Sequence, residues 1–155
     1  MSRDTPRPAG EALLPARKAA GRARPLVVAE ITKTRPGEPE IEPFYDFWAP
    51  RSDWPVIRPY NDFAGQIEDV ATIHMRTSSR VPCRKVMTEL YIDAEGIAYP
   101  CRQDILRTRP LGDAAAMGVP AVWRCEFMEK LRAAQAAGDY DFFPLCRQCK
   151  DWYYA

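Results

Sequence analysis

Glu89-Leu-Tyr-Ile-Asp-Ala-Glu-Gly-Ile-Ala-Tyr-Pro-Cys101 alternates apolar and polar residues on either side of Asp93-Ala94-Glu95-Gly96. This pattern predicts an antiparallel hairpin whose turn needs a positive φ at Gly96. The hairpin ends on a cysteine. Outward from it lie Cys83, before the first strand, and the pair Cys146-Arg-Gln-Cys149 near the C-terminus. A C-x2-C knuckle lets two thiolates point at one ion or cluster, so the four thiols together predict one metal site. Soft thiolate ligands suit either Zn²⁺ or an iron–sulfur cluster.

Composition narrows the class. At 155 residues the chain has room for one ordinary domain or two small units, and 46% hydrophobic with 28% charged residues is the usage of a globular protein. Twenty-two Lys and Arg against 21 Asp and Glu leave a net charge of +1, which gives no whole-chain attraction for nucleic acid or a membrane surface. No apolar run approaches the roughly 20 residues of a membrane span, and no secretory signal opens the chain, so a cytoplasmic location is expected. Five cysteines is an odd number, which favours metal or redox use of the thiols over a disulfide framework.

Along the chain, residues 1–24 are rich in Ala, Arg and Pro, with apolar residues such as Leu13 and Leu14 too sparse to define a buried face, and read as a flexible tail. Asp4 and Glu11 count against a transit peptide there. Residues 25–80 form a second region. Leu26–Thr32 is a β-branched run that predicts a mostly buried strand. Glu40–Trp48 predicts a helix with Ile41, Phe44, Tyr45 and Trp48 on one face, stopped by Pro50. Trp54–Tyr60 predicts a second strand, parallel to the first. The polar stretch 61–79 reads as a connection, and His74, the sole histidine, has no partner at ligand spacing and receives no role.

Residues 81–155 carry the cysteines. Gln103–Gly118 reads as a loop, and Pro120 opens a helix that runs to about Ala137 and stops at Gly138. On that helix Trp123, Phe127, Leu131 and Ala134 form one apolar stripe, and Cys125 falls opposite it, outside the ligand set. Phe142, Phe143, Trp152, Tyr153 and Tyr154 flank the knuckle and would keep water from a cluster or simply pack. A zinc ribbon would offer two knuckles on two hairpins. Here the first pair of cysteines is separated by a whole hairpin, which weakens the zinc reading.

The ordered set Cys83-x12-Gly96-x4-Cys101, Leu111-Gly112-Asp113, Trp123, Lys130-Leu131-Arg132, Gly138-Asp139-Tyr140 and Pro144-Leu145-Cys146-x2-Cys149 resembles the SPASM domain. That domain is the C-terminal auxiliary iron–sulfur module of many radical S-adenosylmethionine (SAM) enzymes. Upstream, the Leu26 strand, the helix bearing Phe44-Tyr-Asp-Phe-Trp48 and the segment from Asp53-Trp54 to Gly65-Gln66 are similar to the last strand–helix–strand piece of the radical SAM partial barrel. The fold the resemblance implies is α/β: a strand–helix–strand remnant of a (β/α) barrel, then a small hairpin-plus-helix cluster-binding module.

The fuller family pattern has seven cysteines and can hold two auxiliary clusters. The four here imply one 4Fe–4S cluster ligated by Cys83, Cys101, Cys146 and Cys149, with Zn as the alternative cofactor. The family's C-x3-C-x2-C motif, which holds the SAM-cleaving cluster, does not occur in this sequence. The resemblance therefore implies no catalytic residue and an auxiliary role in substrate binding or electron transfer. Its expected partners are a radical SAM core or a second copy of the chain, with a peptide as a possible substrate. A zinc-stabilised interaction module without a redox role is the alternative.

Overall fold

The computed structural model describes residues 7–73 and 78–152. It is a mixed α/β structure of short helices and two small sheets, divided into two compact units. One unit holds the chain up to Tyr60 together with Val70–Thr72, and the other holds Asn61–Asp69 and the chain from Ile73 onward. His74, Tyr153 and Tyr154 lie outside the described residues.

In the first unit, β1 (Val28–Lys33) and β2 (Trp54–Pro59) pair in parallel, with Val28 opposite Trp54 and Lys33 opposite Pro59. Between them a 3₁₀ turn at Glu38–Glu40 leads into α2 (Ile41–Trp48). Pro43 is accepted because it sits in the first turn, where its missing N–H costs no helical hydrogen bond. The expected burial of the first strand is corrected. Ala29 is its only buried residue, whereas Leu26 and Val28 are 47% and 49% exposed and Trp54 on the neighbouring strand is 60% exposed. A β-branched run reads as buried when further layers cover the sheet, and among the described residues this sheet has two strands and no third.

Where the sequence suggests a flexible tail over 1–24, Arg7–Ala19 forms a helix, α1. Its Ala, Leu, Arg and Lys residues have high helix propensity even without a wide apolar face. Arg17 fastens it: the guanidinium donates two parallel hydrogen bonds of 2.8 Å to the Asp53 carboxylate and one of 2.6 Å to the Pro25 carbonyl. Asp53 also accepts from the Val27 N–H at 2.7 Å and donates its own N–H to the Val27 carbonyl at 2.8 Å. One carboxylate thus ties α1 to the entrances of β1 and β2.

In the second unit, β3 (Tyr91–Ile92) and β4 (Ile97–Tyr99) pair antiparallel, Tyr91 opposite Tyr99. Gly96 turns the chain with φ +87°. Gln103–Gly118 is more ordered than a loop. Gly112–Asp113 adds a third strand, β5, to β4, and the Asp113 carboxylate accepts from the Ala115 and Ala116 N–H groups to cap α4 (Ala114–Met117). Two- to four-residue elements leave no periodicity to read.

The single helix expected after Pro120 is likewise two: α5 (Val119–Trp123) and α6 (Glu126–Ala136), with the chain extended at Cys125, the N-cap of α6. Gly138 ends α6 at φ +78°. Because the helix breaks, the buried positions are Met128, Leu131 and Gln135, while Trp123 and Phe127 are half-buried. The main core gathers Cys83, Val86, Met128, Leu131, Phe143 and Trp152, so it is assembled from all the segments that carry or flank the C-terminal cysteines. A smaller one holds Ala98, Ala114 and Val122.

Candidate metal centre

Three separate segments deliver the four thiols. Cys83 is the N-cap of α3 (Arg84–Thr88), and its N–H donates at 3.0 Å to Oε1 of Gln135, a fully buried residue of α6. Cys101 leaves β4 through the buried Pro100. Cys146 lies in the five-residue helix α7 (Pro144–Gln148), opened by Pro144, and Cys149 is its C-cap. All four line one cavity, with Arg80, Val86, Leu131, Phe143 and Trp152 among its other walls. Cys125 is half-buried against the main core and is not among the lining residues. It is the N-cap of α6 and not a position inside one continuous helix, so the 3.6-residue geometry by which the sequence excludes it does not hold there. Of the flanking aromatics, Phe143 and Trp152 line the cavity, whereas Phe142 is largely outside it and stacks on Phe127 with ring centres 5.6 Å apart.

The residue two positions after each of three cysteines joins a common network. Lys85, following Cys83, donates from Nζ to Oδ2 of Asp151, which follows Cys149, at 2.6 Å. Gln103, following Cys101, donates from Nε2 to the same oxygen at 2.7 Å, and Arg102 reaches it at 3.2 Å. Main-chain N–H groups of the same residues face sulfur: Gln103 to Cys101 Sγ at 3.4 Å and Asp151 to Cys149 Sγ at 3.3 Å. One half-buried carboxylate therefore holds three cysteine-bearing segments in register. The C-x-Lys, C-x-Gln and C-x-Asp spacing was visible in the sequence, but nothing there indicated that the three side chains meet.

Segment 61–69 is also more than a connection. Lys150, next to Cys149, pairs with the buried Asp62 at 2.5 Å and with Asp69 at 2.6 Å, and Gln66 donates to the Gln103 carbonyl.

The chemistry of the site follows from its burial. Burial pushes the Cys101 thiol up to about 11 and Cys146 up to about 12, and raises Cys149, with neighbouring thiols adding to the effect. Lys85 opposes the rise at Cys101, and Arg80 opposes it at Cys146 and Cys149. Without metal these thiols hold their protons at neutral pH, and loading metal releases them. Thiolate ligands together with N–H donors to sulfur and nearby cations form a donor set suited to an anionic iron–sulfur group.

Residues 83–150 match the SPASM family, described as an iron–sulfur cluster-binding domain. The segment is a SPASM domain. Its bounds enclose all four cavity-lining cysteines, and iron–sulfur binding is the function the family carries. Over 127 residues the chain is 24% identical to an uncharacterized protein of Treponema pallidum (strain Nichols), a match covering 80% of this chain and 33% of that relative. The chain thus spans about a third of the length of the curated relative it matches. No solved structure matches it. Among the described residues, no helix is long and apolar enough to cross a membrane.

Proposed function

We propose that this chain supplies the auxiliary cluster of a radical SAM system: one 4Fe–4S cluster ligated by Cys83, Cys101, Cys146 and Cys149, supporting substrate binding or electron transfer for a SAM-cleaving core. The observation that carries the reading is the convergence of the four SPASM-domain thiols on one cavity. The cluster is preferred to zinc because the family matched over residues 83–150 is described as iron–sulfur cluster-binding, and four thiols at one cavity could give one ligand to each iron of a cluster.

When bound, the cluster supplies one-electron redox chemistry. The chain's own residues position it: Gln135 fixes Cys83, Asp151 ties the three segments through Lys85 and Gln103, and Phe143, Leu145 and Trp152 exclude water. After anaerobic iron–sulfide reconstitution the full chain is expected to be brown, with about four irons per chain. Each of Cys83→Ala, Cys101→Ala, Cys146→Ala and Cys149→Ala should lose most of that iron, and Cys125→Ala should keep it. Stoichiometric zinc with no iron, or iron lost by Cys125→Ala and kept by Cys101→Ala, would overturn the assignment.

A further inference from the structure

Among the described residues, Arg80 is the one cationic side chain that lines the four-thiol cavity. Its guanidinium lies 4.1 Å from the ring centre of Tyr140 and 5.8 Å from that of Trp152, and one terminal nitrogen donates to the Cys146 carbonyl at 2.7 Å. Stacking on aromatic faces with a main-chain anchor fixes a guanidinium without neutralising it. No carboxylate pairs with it among the described residues. Its Nε is buried and has no hydrogen-bond acceptor in the structure. Leaving a buried donor of a charged group without an acceptor is costly, more so than for a neutral donor. Such a group calls for an acceptor at that place, and the cavity it borders is where the thiolates and sulfides of a cluster would lie.

We infer that Arg80 is a positioning residue of the cluster, donating from Nε to a cluster sulfur and raising the cluster's reduction potential through its charge. The inference rests on the cluster reading above. Arg102 and Lys85 do not share this role, because both are bound to Asp151, whose charge offsets theirs. A donor and a positive charge beside the cluster favour the reduced, more negative state, so removing them makes reduction harder.

The test uses the full chain, reconstituted anaerobically, with iron counted first so that failure of the cluster reading is seen separately. Arg80→Met is expected to keep its iron but to have a midpoint potential more negative than the wild type. Its iron–sulfur vibrational bands should shift less in deuterated water than those of the wild type, the remainder coming from the Gln103 and Asp151 N–H groups that face Cys101 and Cys149 sulfur. Arg80→Lys, which keeps the charge without the planar donor, should recover part of the potential but not the part of the deuterium shift that depends on Arg80. Should Arg80→Met not fold, wild-type protein carrying nitrogen-15 arginine gives the answer: the reduced cluster should show hyperfine coupling to an arginine nitrogen. Iron-loaded wild type with no such coupling, or iron-loaded Arg80→Met with unchanged potential and deuterium shift, overturns the inference.

Discussion

Asp151 shows how much of the site depends on single side chains that are not ligands. Its carboxylate and Lys85 are both largely buried, with side chains 14% and 8% exposed. Removing one member of such a pair leaves an uncompensated charge, which costs about 3–5 kcal/mol, far more than the intact pair contributes relative to an apolar replacement. Asp151→Ala leaves Lys85 only the Asp151 main-chain carbonyl, which it already reaches at 3.0 Å. The substitution is therefore expected to lower stability in denaturant titration by about that amount, and to speed iron loss. Lys85→Met with Asp151→Leu should recover a good part of the loss. Equal stability of Asp151→Ala and the wild type would show that the network holds nothing in place. At this scale the sequence was legible for the thiols, whose type and spacing announce themselves, and silent on Arg80, Gln135 and Asp151. Their roles come from meeting residues more than 45 positions away, such as Cys83 with Gln135 and Lys85 with Asp151. Local pattern does not encode such meetings.

At the scale of elements, legibility followed length and punctuation. The strand–helix–strand run and the Gly96 reversal were readable because prolines, a turn glycine and long apolar runs mark them. The break at Cys125 and the strand Gly112–Asp113 were not, since a two-residue strand has no period and an unbroken apolar spacing hides a helix that restarts. Helix α1 carries no wide apolar stripe, so only the helix propensity of its residues marks it. Its attachment has a testable pH dependence. The Arg17 guanidinium, with help from the Val27 N–H, holds the Asp53 carboxyl down to about 2. A carboxylate whose folded value lies below its unfolded one, near 3.9, contributes its full stabilisation above the unfolded value and loses it as pH falls toward the folded one. Attachment of α1 should thus be constant from neutral pH down to about 4 and weaken between about 4 and 2. Arg17→Ala should release α1 already at neutral pH. Limited proteolysis or amide exchange of the α1 segment measures both, and an α1 equally protected in Arg17→Ala would show that the ion pair does not hold it.

For the whole molecule the contrast between the two units points to a partner. The unit bearing the cysteines has a packed core, with Met128, Leu131 and Val122 fully buried, whereas among its described residues the β1–β2 unit buries only Ala29 and Ala71 of the apolar ones. A parallel pair of strands normally lies inside a larger sheet covered on both faces. Here Val28, Trp54 and Ile57 stay 41–60% exposed, and neither strand has a second neighbour among the described residues. Unpaired strand edges with apolar faces associate, so the chain is expected to self-associate or to bind a radical SAM core through this unit. It should not cleave SAM by itself. In the family that reaction needs a cluster with one iron free of cysteine, whereas the four thiols at this cavity would each occupy one iron. Reconstituted chain incubated with SAM and a strong reductant should form no 5′-deoxyadenosine beyond that of a Cys101→Ala control, while addition of a competent core should restore turnover. Product from the chain alone, above that control, would mean that one iron of this cluster is open to SAM, and the four-thiolate auxiliary site would have to give way to a catalytic one.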